Sequence, residues 1–333
     1  MTKIIFTFLI LLSINIMAQQ TFDKSSPLVS TYSIVARDSV TGEMGVAVQS
    51  HWFNVGAIVG WGEAGVGVIA TQSFVNPSFG IKGLDLLKAG KSPKEVVDEL
   101  IAGDEGRDFR QLAVLDAKGR TASYTGAKCI DGAGNIAGNN YSVQANLMMN
   151  DKVWSAMEKA FLETKAPLAE RMIASLEAAQ NVGGDIRGMQ SASIMVFSGA
   201  STGKPWADKL IDLRVEDNPN PVAELKRLLS VQRAYEHMNA GDLAVEKNDM
   251  ELALKEYNAA MEMFPDNLEM KYWTAVTLAN NNRLAEALPL FNIVFATDKN
   301  WKELTPRLPK SGLLTVSEDD LKKIMATGEK NER

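Results

Sequence analysis

Short apolar segments, bounded by polar residues and punctuated by glycine, follow one another near the start of the chain, which is a pattern of β-strands. The segments "TYSIVARD" and "MGVAVQS" are joined by "SVTGE", which has the residues of a hairpin turn, and "VGAIVGW" and "VGVIATQS" follow across "GEAG". This pattern predicts four consecutive strands. Both faces of these strands are largely apolar, so we expect the sheet to be covered on both sides.

Helical spacing follows in "FGIKGLDLLKAG" and "SPKEVVDELIAG", where Ser92 can cap a helix, Pro93 suits its first position and Gly103 follows its end. Strand patterns return in "FRQLAVLD", "GRTASYTG" and "GNNYSVQANLM". We predict two further helices at about 151–163 and 167–180, and then two strands in "QSASIMVFS" and "KLIDLRVED".

The order of these elements indicates the fold class. Strands occur in blocks rather than in single alternation with helices, which argues against a doubly wound parallel fold. Two antiparallel sheets, each with a helix pair on its outside, satisfy the pattern. We therefore predict an α+β fold, a four-layer αββα sandwich, over residues 28–220.

A repeat of 34 residues begins after about residue 221. Gly241 recurs as Ala275, Ala253 as Ala287 and Tyr257 as Phe291, which is the period and the small–large packing code of tetratricopeptide helix pairs. The alternative is two amphipathic helix pairs that match by chance. We predict helical repeats over 221–303 and a C-terminal tail with one short helix over 304–333.

The first residues, "MTKIIFTFLILLSINIMAQQ", place one Lys before a short apolar run that ends near Ala18. The run is too short to span a bilayer and is typical of a secretory signal peptide, although a buried first strand or helix is the alternative. We predict a signal peptide at 1–18, a mature start at Gln19 and a periplasmic or secreted protein without a transmembrane anchor.

The charge and the rare residues exclude several kinds of site. The net charge is -6 without a basic run, so nucleic-acid binding is not expected. The single cysteine, Cys129, cannot form an intrachain disulfide and is interpreted as a small buried residue. His51 and His237 lie far apart in sequence, which argues against a His-rich zinc site and a Ser-His-Asp triad. We predict no metal site and no cofactor.

Residues 31 to about 228 resemble domain-of-unknown-function family 1028, which has the N-terminal-nucleophile hydrolase fold. The resemblance rests on "TYSIVARD", "TGEMGVAVQS", "EAGVGVIATQS", "RQLAVLDAKGRTASYTG", "YSVQANLM", "GGDIRGMQSAS" and "DLRVEDNPNP". It implies amide-bond hydrolysis by an N-terminal residue whose free amine takes the proton of the nucleophile. By position that residue is Thr31, and Ser33, on the same side of the strand, is the reserve candidate.

This chain departs from active hydrolases of that fold in two respects. Signal cleavage after Ala18 leaves Thr31 with its nitrogen in a peptide bond, so a second cut between Ser30 and Thr31 is required. Relatives of the proteasome type carry an Asp and a Lys on the second and third strands. Gln49 and a position near Gly56 stand at the rough equivalents and supply no charge.

Other polar positions are candidates for ligand binding. The neutral hydrogen-bonding groups and the charged groups that we single out are Thr71, Gln72, Asn146, Asp185, Arg187, Gln190, Asp212, Arg214 and Glu216. Asp212, Arg214 and Glu216 share one strand face, where charges are costly to bury unless paired. The alternative for these three is a structural ion-pair ladder or a solvated edge strand.

Two functions remain open from the sequence. The first is an exported hydrolase of an amide or peptide-like bond, with Thr31 as the nucleophile. The second is a non-catalytic protein that keeps the fold and binds a small amide-like ligand. In both, the repeats are expected to bind a protein or peptide, and the sequence leaves homo-oligomerisation open.

Overall fold

A computed structural model describes residues 28–328, which form two compact units divided between Lys226 and Arg227. The predicted signal peptide and the start at Gln19 lie outside the described residues. Over 28–328, none of the helices has both the length and the apolar character needed to cross a membrane.

The N-terminal unit is a mixed α/β structure whose strand pairs are all antiparallel. In chain order its elements are β1 (Leu28–Val29), β2 (Thr31–Arg37), β3 (Met44–Ser50), a 3-10 turn (Val55–Ala57), β4 (Gly60–Glu63), β5 (Gly67–Phe74), α1 (Ser78–Lys88), α2 (Pro93–Ala102), a 3-10 turn (Arg107–Phe109), β6 (Arg110–Asp116), β7 (Thr121–Thr125), β8 (Gly134–Gly138), β9 (Tyr141–Ala145), α3 (Val153–Glu163), α4 (Leu168–Asn181), β10 (Ser191–Phe197), α5 (Pro205–Asp208) and β11 (Lys209–Val215).

The strands form two sheets. The first has the order β1-β5-β6-β7, with β4 also paired to β5, and the second has the order β11-β10-β3-β2-β9-β8. Helices α1 and α2 pack on the first sheet, and α3 and α4 pack on the second. An apolar cluster joins the other faces of the two sheets, with Val35, Val46 and Val48 from the second sheet and Val68 and Ala70 from the first.

Most predicted elements are confirmed, and the differences have local causes. Helix α2 has the predicted cap, since the Ser92 hydroxyl accepts a hydrogen bond from the Glu95 amide. The apolar segment "VGAIVGW" is not one strand, because the Asn54 side chain caps a 3-10 turn at 55–57 and β4 begins only at Gly60. Strands β1 and β8 were not predicted, since β1 has only two residues and β8, "GNIAG", has little apolar alternation.

The C-terminal unit is helical. The boundary between the units falls inside α6 (Pro221–Glu246), and the helices that follow are α7 (Met250–Met263), α8 (Leu268–Asn280), α9 (Leu284–Thr297), α10 (Lys299–Leu304) and, in the C-terminal tail, α11 (Glu318–Met325). Gly241 lies directly against the ring of Tyr257, and Ala253 and Ala260 are buried in the same cluster. Small residues thus allow α6 and α7 to pack closely.

Candidate functional site

The chain passes from one sheet to the other at Ser30. Val29 ends β1, which pairs with the end of β5 in the first sheet, whereas Thr31 begins β2 in the second sheet. The Thr31 hydroxyl donates a 2.7 Å hydrogen bond to the carbonyl oxygen of Val29. The hydroxyl therefore points back along the chain, past the Ser30 peptide group. Val29, Ser30 and Thr31 are all fully buried.

Two side chains hold the carbonyl oxygen of Ser30, which belongs to the peptide bond before Thr31. The Ser50 hydroxyl donates to this oxygen at 2.5 Å, and Nη2 of Arg187 donates at 2.9 Å. Ser50 is at the end of β3, opposite Thr31 in the register of the second sheet. Arg187 comes from the loop between α4 and β10. One neutral and one charged donor thus polarise this carbonyl group.

Asp185 fixes the orientation of Arg187. Its fully buried carboxylate accepts hydrogen bonds from Nε and Nη2 of Arg187 at 3.1 and 2.8 Å. The backbone amides of Arg187 and His51 also donate to it, at 2.9 and 3.3 Å. A bidentate contact with a carboxylate holds the guanidinium plane in one direction, so the charge of Arg187 stays aimed at Ser30.

A network of buried amide side chains holds the carbonyl group on the other side of Thr31. The oxygen of Thr31 accepts from the backbone amide of Asn146 at 3.0 Å and lies 3.3 Å from Nε2 of Gln72. Gln72 and Asn146 both donate to Oε1 of Gln111, at 2.7 and 2.9 Å. These amides come from β5, β6 and the end of β9, so the network ties the two sheets together at the nucleophile candidate.

Ser33 belongs to the same network. Its hydroxyl donates to Oε1 of Gln72 at 2.6 Å and accepts from Nε2 of Gln144 at 2.6 Å. Both partners are neutral amides, and an amide oxygen is too weak a base to take the hydroxyl proton. The contacts of Ser33 are therefore those of a structural group.

Burial raises the pKa of two other ionisable side chains of the N-terminal unit, Tyr32 and Cys129. Burial, and then the negative charge of Asp185, raise the pKa of Tyr32 far above its ordinary value, and its hydroxyl donates to Gln180 at 3.1 Å. Burial also raises the pKa of the Cys129 thiol, which donates to the carbonyl oxygen of Arg110. Cys129 is buried, as predicted.

The structure brings together Thr31, Ser33, Gln72 and Asn146, and places Asp185 and Arg187 at the preceding peptide bond. It does not bring Thr71 to the same place, because neighbouring residues of a strand face opposite sides. Ile69, on the same side of β5 as Thr71, packs with α1 and α2, and the Thr71 hydroxyl lies 3.3 Å from the Asn76 carbonyl oxygen.

The side chains of the remaining candidates contact other groups. The backbone amide of Gln190 donates to the carbonyl oxygen of Ser50 at 3.1 Å, but its side chain donates to Asp217, also at 3.1 Å. Asp212 and Arg214 form an exposed ion pair at 3.0 Å on β11, and Glu216 is exposed just after it. Strand β11 is at the sheet edge, three strands from β2, which is roughly 14 Å at the usual strand spacing. These three residues match the solvated edge strand that the sequence left open.

The sequence did not single out two residues that complete the site, Ser50 as a donor and Gln111 as the centre of the amide network. Both are fully buried polar residues in otherwise apolar strands, and that pattern could have indicated them. Gln49 and Gly56 supply no charge to the site. Gln49 is buried with both amide atoms unpaired among residues 28–328, and Gly56 lies against Ser193, which leaves no room for a side chain.

The N-terminal unit is similar to a known protein family. The model of a family described as "Family of unknown function (DUF1028)" matches residues 31–225. The chain is similar to the crystal structure of protein SPO2555 from Silicibacter pomeroyi, which carries the same family name. The two share 29% sequence identity over 60% of this chain and 88% of that one, with a TM-score of 0.55. Among curated proteins, none matches this sequence.

Proposed function

This chain belongs to the DUF1028 family, whose description assigns no activity, and we propose that its N-terminal unit is an amide-bond hydrolase of the N-terminal-nucleophile type. Thr31 is the nucleophile, and it becomes N-terminal when the bond between Ser30 and Thr31 is cut. The observation that carries this proposal is the pair of hydrogen bonds from Ser50 and Arg187 to the Ser30 carbonyl oxygen. Donors of this kind stabilise the oxyanion of acyl transfer.

The arrangement of the two sheets supports an N-terminal-nucleophile type of four-layer sandwich. Helices α1 and α2 cover one sheet, α3 and α4 cover the other, and the apolar cluster lies between them. Thr31 begins a central strand of the second sheet, with its face toward the first. A nucleophile at that position has side chains from both sheets around it.

The same two hydrogen bonds support a cut by Thr31 itself, within the chain. The Thr31 hydroxyl attacks the carbonyl carbon of Ser30, and Ser50 and Arg187 stabilise the negative charge on the oxygen. The bond from that carbon to the Thr31 nitrogen breaks, the nitrogen gains the hydroxyl proton, and an ester joins Ser30 to Thr31. Water then hydrolyses the ester, which leaves a carboxylate on Ser30 and a free amine and hydroxyl on Thr31.

The free amine then serves as the base for an external amide. It takes the proton of the Thr31 hydroxyl as the oxygen attacks the substrate carbonyl carbon, and passes it to the departing amine nitrogen. Water hydrolyses the resulting ester and regenerates Thr31. Arg187 supplies a cation that Gln49 and Gly56 do not, and a nearby cation favours the unprotonated amine that this step requires.

A second candidate function, ligand binding without catalysis, is favoured by one observation. The Thr31 hydroxyl is fully buried and donates to a carbonyl oxygen, which cannot take its proton. If the bond before Thr31 is never cut, the amide network around Gln111 holds a structural residue, and the unit is a binding module for a small amide-like ligand.

The helical unit is proposed to bind a protein or peptide. The 34-residue spacing and the close contact of Gly241 with Tyr257 support tetratricopeptide-like repeats, whose concave surfaces bind peptides. The apolar run at 1–18 supports export to the periplasm or the medium after cleavage before Gln19.

Hydrolysis of acetyl-serine 4-nitroanilide by the purified full chain tests the enzymatic proposal, because this amide offers a small acyl group and a coloured amine. We expect hydrolysis by the wild type and by Thr31→Ser, and none by Thr31→Ala. Equal hydrolysis by Thr31→Ala and the wild type would assign any activity to another site and would favour the binding function.

A further inference from the structure

Strand β1 leads directly to the bond before Thr31. Leu28 and Val29 pair antiparallel with Phe74 and Ser73 of β5. The residues before the bond therefore run as an added strand of the first sheet. A peptide that adds to a sheet in this way gains affinity from its backbone and specificity from alternate side chains.

The side chain of Val29 is part of the core between the sheets. It is fully buried in the apolar cluster that contains Val48, Val55, Val59 and Val75. A core position that loses its side chain keeps a cavity, because the surrounding atoms relax only partly. Departure of β1 after the cut therefore leaves a socket that fits one branched aliphatic side chain.

Ser30 and Asn146 carry fully buried polar atoms that have no partner in the part of the chain that the structure describes. These atoms are the Ser30 hydroxyl oxygen and Oδ1 of Asn146. Buried polar atoms are nearly always hydrogen-bonded, so unpaired ones next to a reactive bond have capacity for a ligand or water. Oδ1 of Asn146 can accept a hydrogen bond from a bound amide. The side chain of Ser30 is fully enclosed, so only a small residue fits at its position.

Ser73 of β5 has an unusual backbone conformation. Ser73 has φ 68°, in the left-handed region that is unfavourable for a residue with a side chain. This conformation occurs at the residue that pairs with Val29. Strained residues of this kind concentrate at ligand-binding sites.

We propose that β1 occupies the acyl-side substrate groove, and that the substrate is an extended peptide of L-residues. Its second residue before the cleaved bond is a branched aliphatic one, and the residue at the bond is small. This inference rests on the proposed function: one hydroxyl attacks both the Ser30 carbonyl and the substrate carbonyl. Because Ser50 and Arg187 donate from fixed positions, the substrate carbonyl group must bind where the Ser30 carbonyl group binds. The substrate residues before it then bind where Leu28 and Val29 lie.

The experiment compares acyl groups of increasing length on the cleaved full chain. The probes are the 4-nitroanilides of acetyl-Ser, acetyl-Leu-Val-Ser and acetyl-Leu-Asp-Ser, together with the second of these made with D-valine. We expect kcat/KM to rise about 100-fold from acetyl-Ser to acetyl-Leu-Val-Ser, because the valine refills an apolar socket and the strand pairs with β5. The Asp and D-Val peptides are expected to lose that gain.

The outcomes separate this inference from the function on which it rests. Suppose that the protein hydrolyses acetyl-Ser 4-nitroanilide but gains nothing from the added Leu-Val, or hydrolyses the Val and Asp peptides at equal rates. Either result would contradict the proposed substrate groove and would still support Thr31 as the nucleophile. A protein with N-terminal Thr31 that hydrolyses none of the four amides contradicts the proposed function and this inference with it. A chain that is never cut at Ser30 contradicts the proposed function itself.

Discussion

Nη2 of Arg187 lies 2.9 Å from the carbonyl oxygen of Ser30, although the two residues are 157 positions apart in the sequence. The contact brings a cation to the peptide bond before Thr31, and Asp185 fixes its direction through two hydrogen bonds. A positive charge held against one carbonyl oxygen by a buried carboxylate has a chemical consequence, because it stabilises negative charge that develops there. The following predictions test this consequence and the structure that supports it.

Removal of the guanidinium should slow the cut before Thr31. We expect Arg187→Ala to lower the rate of cleavage by about 100-fold, the usual effect of losing one oxyanion donor. Intact-mass measurement over time after synthesis gives the rate. Arg214→Ala is the matched control, since Arg214 is similarly exposed but pairs with Asp212 on the edge strand β11, and this variant should cleave at the wild-type rate. Equal rates for both variants would remove Arg187 from the mechanism.

The amide network should contribute to the stability of the N-terminal unit. Gln111→Leu removes the acceptor shared by Gln72 and Asn146 and leaves their buried donors only longer contacts, among them those of 3.3 and 3.5 Å with the Thr31 carbonyl oxygen. We expect a loss of roughly 3 kcal/mol in the free energy of unfolding, measured by urea denaturation. Gln190→Leu, at a half-buried position with an exposed contact to Asp217, should change it by less than about 0.5 kcal/mol. Similar losses in the two variants would show that the network is not a special source of stability.

Stability should fall in acid because of Asp104. Burial alone would raise its pKa, but hydrogen bonds from Arg110 and the Gly106 amide outweigh burial and hold the pKa below its ordinary value. A lowered pKa in the folded state stabilises the protein above the unfolded pKa, about 3.9, and this stabilisation is lost as pH falls through the folded value. Urea denaturation of the wild type and of Asp104→Asn between about pH 6 and pH 2 measures the loss.

The two curves should differ near pH 6 and converge at the acid end, because Asp104→Asn has no carboxylate to protonate. Parallel curves would show that this ion pair makes no pH-dependent contribution. The pair matters for the site, since Arg110 also donates to the carbonyl oxygen of Phe74 at 2.6 Å, and Phe74 pairs with Leu28 of β1.

Close helix packing should make Gly241 intolerant of alanine. Helix propensity alone predicts that Gly241→Ala stabilises α6 by about 1 kcal/mol. The ring of Tyr257 occupies the position of the new methyl group, so we expect a loss of about 1–3 kcal/mol in thermal or urea unfolding of the helical unit. Glu262→Ala, at an exposed position of α7, should be nearly neutral. A stabilised Gly241→Ala protein would contradict the packing.

The sequence predicted the elements better than the contacts between them. Strands β2, β3 and β5 were predicted because glycine and turn residues delimit their apolar segments. The turn at Asn54 was missed, since its cap is a side-chain contact inside an apolar segment. Asp185 and Arg187 were singled out as polar residues beside a flexible turn, but their contact with Ser30 depends on how the loop after α4 lies across the end of the second sheet. No local pattern encodes that contact.

The N-terminus of the purified protein tests the central claim most directly. N-terminal sequencing and intact mass of the wild type, Thr31→Ser and Thr31→Ala give the result. The account predicts a chain that begins at Thr31 in the wild type, a chain that begins with the substituted serine in the Thr31→Ser variant, and a bond after Ser30 that stays intact in the alanine variant. A purified wild-type protein whose chain still includes Ser30, or an alanine variant that is cut after Ser30 like the wild type, would contradict the account.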